Sequence, residues 1–98
     1  MKLEHKIKEN TWLPRYLMDC GWGNGYVILP PEHPLFGVDY NDIDVDVHGC
    51  LTYGAMEDEN WVVGFDTAHF ADTLENWPEE RVEEETIRLK EQLENYSK

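Results

Sequence analysis

Three of the four histidines in this chain fall in its middle, in company with a run of aspartates. His33, His48 and His69 lie there with Asp42, Asp44, Asp46, Asp66 and Asp72, and these eight are the candidate ligand- or partner-binding residues. Imidazole and carboxylate together hold transition metals, and a His–Asp pair without metal can act as a general base. In Asp66-x-x-His69-x-x-Asp72, a helical turn would line three polar groups along one face at i, i+3 and i+6. In the column Asp42, Asp44, Asp46, His48, polar residues alternate with Ile43, Val45, Val47 and Gly49. On a strand such residues share one face at a spacing of about 7 Å, where carboxylates repel unless solvated, paired or bound to a cation. A solvated face is the plain reading, but Asp is depleted in strands, so its repeated use suits a partner surface.

His48, Asp66, His69 and Asp72 form the candidate metal set, for zinc, manganese or iron. With one position left open for water they would make a small metal-dependent hydrolase. The competing reading gives Asp66 a turn-capping role and His69 a half-buried packing role. The chain has no HExxH, no GxSxG and no cysteine in a recognisable nucleophile setting.

The elements that must position these residues follow from periodicity and punctuation. Residues 2–18 are mixed, and Pro14 limits Trp12, Leu13, Tyr16 and Leu17 to a short helix or turn. Gly21, Gly23 and Gly25 punctuate a loop, with Asn24-Gly25 as its turn. Residues 26–29 read as a strand closed by Pro30-Pro31, and 32–41 as an ordered loop around Pro34 and Gly37. The alternation predicts a strand over 42–48 that continues toward Tyr53. A polar connection over 54–60, centred on Glu57-Asp58-Glu59, then leads to a strand over 61–65, making an antiparallel hairpin. From 77 to 97 the chain is helical, with an Asn76/Glu79 capping box and Pro78 in the first turn. Val82, Thr86, Leu89, Leu93 and Tyr96 give one apolar stripe, which packs on the sheet and could also serve a homodimer.

Composition narrows the class. A chain of 98 residues supports one domain, 1–98, with 25–72 as its motif-bearing sheet segment. Its net charge of −13 repels phosphates and no basic stripe offsets it, so direct nucleic-acid binding is not expected. An acidic surface suits a basic protein partner instead. No segment is apolar for long enough to cross a membrane, and the charged start lacks a signal-peptide core. Cys20 and Cys50 then sit in a reducing cytoplasm, unpaired.

The run Gly25-Tyr26-Val27, Pro30, His33-Pro34-Leu35, Gly37, Tyr40-Asn41-Asp42, Val47-His48-Gly49 and Leu51-Thr52-Tyr53 resembles a family of small bacteriophage and prophage proteins. Trp61, Gly64-Phe65-Asp66, Ala68-His69 and Asp72 are similar to that family's second block. The likeness covers about half the chain. The family pattern carries a second glycine where this chain has Cys50, a difference that matters if the position needs a positive φ. The resemblance implies a small acidic accessory protein that binds a host protein or a signalling ligand, in the cytoplasm of a bacterial host cell. The expected fold is α+β, a small antiparallel sheet packed against a C-terminal amphipathic helix.

Overall fold

The computed structural model describes residues 1–96. Alternating burial explains the sheet. In β2 (Gly23–Leu29) every second residue is buried, and Val27 and Leu29 are fully enclosed. β1 (Glu4–Glu9), β3 (Tyr53–Glu57) and β4 (Asn60–Phe65) complete an antiparallel sheet in the order β1-β2-β4-β3. Among the described residues the one α-helix, α1 (Glu79–Glu94), packs against β1 and β2 on a single face. Its Val82, Thr86, Leu89 and Leu93 are buried there with Val27, Leu29, Val63 and Phe65, which gives the α+β architecture expected. That stripe is spent inside the chain's own core. Tyr96 is 36% exposed and stands outside it, and residue 97, the expected helix end, lies outside the described residues.

Several local expectations are corrected. Residues 4–9 are a strand, although only His5 and Ile7 alternate inward among charges. The strand β2 begins at Gly23, so Asn24-Gly25 pairs with β1 instead of turning. Gly25 serves helix approach, because a Cβ there would sit 1.9 Å from Thr86 Oγ1. The hairpin turn is only Asp58-Glu59, both with positive φ (49° and 69°), the type I′ geometry that matches strand twist. Gly54 to Glu57 are therefore strand and not connection. Pro78, not Asn76, precedes the helix, and no side chain caps it; the Asn76 amide instead donates to Ala71 O.

The strand expected over 42–48 does not form. Asp42 closes a 3-10 turn (Tyr40–Asp42), and an extended segment without strand partners follows. The alternation survives in burial: Ile43 and Val47 are buried, while Asp42, Asp44 and Asp46 are exposed. Side chains of α1 take the place of a neighbouring strand. Gln92 Oε1 accepts from Asp46 N and its Nε2 donates to Asp46 O, both at 2.8 Å. Glu85 Oε2 accepts from His48 N at 2.8 Å. The segment thus runs along the helix and delivers His48 to the end of the sheet where β4 finishes.

Candidate metal centre

Two turns build the site. The first is Val47–Cys50, closed by Cys50 N donating to Val47 O. Gly49, third in that turn, has φ +66°, the conformation a type II turn demands. A Cβ on Gly49 would lie 2.3 Å from the His69 ring, so backbone and imidazole meet closely there. The second turn follows β4. Asp66 Oδ2 accepts from Ala68 N, Asp72 N donates to His69 O, and Ala71 takes a left-handed φ of 74°. These tight turns, not a helical face, gather Asp66, His69 and Asp72.

Asp72 is the hub. Its Oδ1 lies 2.9 Å from His48 Nε2, and its Oδ2 lies 2.8 Å from His69 Nδ1 while also accepting from His69 N. The two imidazoles meet edge to face, with centroids 5.2 Å apart. Burial alone would raise the Asp72 pKa, but the His69 amide and both imidazoles outweigh it and hold the carboxyl below its ordinary value. Asp66 sits at the rim. Its Oδ1 accepts from Thr52 Oγ1 at 2.9 Å and stands 3.5 Å from His69 Nε2.

A support layer lies beneath His48. The Trp77 ring stacks on it at 4.1 Å between centroids, and the Arg81 guanidinium also lies 4.1 Å from the indole. Trp22 N donates to Trp77 O, tying the loop before β2 to this layer. Glu85, which holds the His48 amide, is itself held by Arg88, and that bond keeps its carboxyl below the ordinary range despite partial burial.

The remaining expected site residues lie elsewhere. His33 is buried, with Leu35 N donating to its Nδ1 and its Nε2 2.8 Å from Leu93 O. Because Nδ1 accepts, Nε2 carries the proton and caps the end of α1. Asp42 and Asp44 point to solvent, and Asp46 meets Arg88 at 3.2 Å. Sequence reasoning did not find Trp77, Glu85 or Arg81. Gly49 and Thr52 entered the sequence reading only as parts of the expected strand and of the phage-like pattern, not as site residues. Cys20 is buried and Cys50 exposed, and both are free thiols. Cys50 has φ +66°, a left-handed conformation in a residue other than glycine.

Potential ligand atoms of His48, His69 and Asp72 all lie within 4.8 Å of one another, close enough for one ion to reach all three. Among the described residues, no helix is long and apolar enough to cross a membrane. Comparison of the chain with protein-family models, curated proteins and solved structures gave no match.

Proposed function

We propose that this chain is a divalent-metal-binding domain that holds zinc or manganese through His48, His69 and Asp72, with Asp66 at the rim as the fourth candidate ligand. One observation carries the reading: His48 and Asp72 are 24 residues apart in sequence, yet both meet His69 at one point. Donors around a tetrahedral zinc stand about 3.3 Å apart, so an ion taking the two nitrogens that face Asp72 at 2.9 and 2.8 Å would displace one proton from each imidazole to solvent and widen both contacts. Two nitrogens and a carboxylate kept anionic suit zinc first. A bound ion with an open position would activate water, the chemistry of a small metal-dependent hydrolase.

Melting the chelator-stripped protein with and without zinc or manganese tests this. At a hundredfold excess over Kd the midpoint should rise by about 10 °C, and His69→Ala should lose the rise. A wild-type midpoint that moves with neither metal refutes the reading.

Exposed apolar side chains favour a second reading. Trp12, Tyr16 and Phe70 are 63%, 86% and 102% exposed. Bonds from Gly21 N to Thr67 O and from Trp22 N to Trp77 O hold the loops that bear them together. With the acidic Asp42, Asp44 and Asp46, they suit a binding surface, and the reading that the phage resemblance implies is an accessory protein working in the host cytoplasm. It would bind a host protein with a basic surface, or a signalling ligand, and inhibit a host or defence function. A lysate partner retained in low salt and released by high salt or by the triple Asp→Asn variant is the expected result. Recovery of no partner counts against it.

A further inference from the structure

The sheet face turned away from α1 carries a recess that shares no lining residue with the His–Asp site. Pairing places Tyr26, Gly64 and Tyr53 in one row across β2, β4 and β3, with Lys6 beside Tyr26 on β1. The two tyrosine rings meet edge to face with centroids 5.3 Å apart. A Cβ on Gly64 would stand 2.5 Å from the Tyr26 ring, so the missing side chain is what lets that ring lie over β4. Lys6, Ile7, Lys8, Tyr26, Tyr53 and Glu57 line a recess of about 360 Å³, within the size of small-molecule pockets.

Its charge runs against that of the molecule. The chain has 21 acidic and eight basic residues, yet two lysines and one glutamate line this recess. Glu57 is already engaged by Lys6 Nζ at 3.0 Å and by the Tyr53 hydroxyl at 2.5 Å. Lys8 forms no ion pair among the described residues. Burial raises the Tyr26 pKa and the bond to Glu57 raises that of Tyr53, so both phenols stay neutral beside the lysines.

We propose that this recess binds a small anion bearing a planar ring, of the nucleoside monophosphate class. The base packs against Tyr53 and against Tyr26, whose ring centroid lies 5.7 Å from the Lys6 ammonium held by Glu57, and the phosphate meets the unpaired Lys8. A polynucleotide is repelled by the net charge of −13, whereas a mononucleotide brings only about two negative charges. The site is independent of the metal reading and stands or falls separately from it.

Amide-resolved NMR titration in low-salt buffer tests it, with adenosine monophosphate, adenosine and inorganic phosphate as probes. The monophosphate should move the Tyr26, Tyr53 and Gly64 amides saturably, adenosine should bind about tenfold more weakly, and phosphate alone should not move them. Lys8→Glu, at an exposed position, should keep the melting midpoint and erase the preference for the monophosphate over adenosine. Three results would overturn the proposal: no movement with the monophosphate, equal affinity for adenosine, or the same response to phosphate alone.

Discussion

His48 Nε2 stands 2.9 Å from Asp72 Oδ1, and this contact joins two loops that leave opposite ends of the β3–β4 hairpin sequence. Asp72 is 4% exposed, and the same carboxylate also receives the His69 amide and faces the His69 ring. The two loops therefore share a single buried charge.

That charge sets an acid response. The folded-state pKa of Asp72 is below its ordinary 3.8, and that of Glu85 below its ordinary 4.5. A lowered carboxyl contributes stability fully above its unfolded-state pKa and loses it as pH falls through the folded value. Urea midpoints should therefore drop below about pH 4, and Asp72→Asn should flatten part of that drop. Parallel wild-type and variant curves across this range would contradict the role given to Asp72.

The Gly49-Cys50 corner makes opposite predictions for its two residues. Gly49→Ala adds a Cβ 2.3 Å from His69 at a φ of +66°, and should cost about 1–3 kcal/mol in urea denaturation. Cys50→Gly relieves a left-handed non-glycine residue and should stabilise by about 1 kcal/mol. A destabilised Cys50→Gly variant would show that the turn depends on the thiol.

Gln92 does for residue 46 what a neighbouring strand would do. Gln92→Ala removes both bonds to the Asp46 main chain and should cost about 1 kcal/mol, with faster exchange of the Asp46 amide. Unchanged exchange would mean that the segment is held by Ile43 and Val47 alone.

His33 and His69 should separate cleanly. His33→Ala frees the buried Leu93 carbonyl and should cost about 1–3 kcal/mol while leaving zinc affinity intact. His69→Ala should do the reverse, losing zinc with a smaller stability change. Calorimetric zinc titration beside urea denaturation of both variants distinguishes the two roles.

Much of this fold is written in local pattern. The stripe Val82, Thr86, Leu89, Leu93 is a strong periodic signal that became a helix with its buried face as read, and the apolar run into Phe65 became the strand expected there. β1 was hidden because in Glu4–Glu9 only Ile7 is strongly apolar; its partner strand, not its composition, makes it a strand. The Asp42, Asp44, Asp46 column shows the converse. Alternation reports which side faces the core, but Gln92 and Glu85, close to forty or more positions away, decide what the backbone pairs with. For the site, residue type made His48, Asp66, His69 and Asp72 candidates, but spacing alone could not bring them together; tight turns, not the expected helical face, place His48, His69 and Asp72 within 4.8 Å of one another. His33 belonged to the same cluster in sequence but was claimed by the end of α1. Trp77 beneath His48 left no local signal, since a tryptophan before a helix-starting proline reads only as core.

The most direct measurement is a crystal structure of zinc-soaked protein with data collected on both sides of the zinc absorption edge. The metal reading predicts one anomalous peak about 2.1 Å from a nitrogen of His48, a nitrogen of His69 and an oxygen of Asp72, absent in His69→Ala. No peak between these residues at saturating zinc, with the Asp72 contacts to both imidazoles intact, would contradict it.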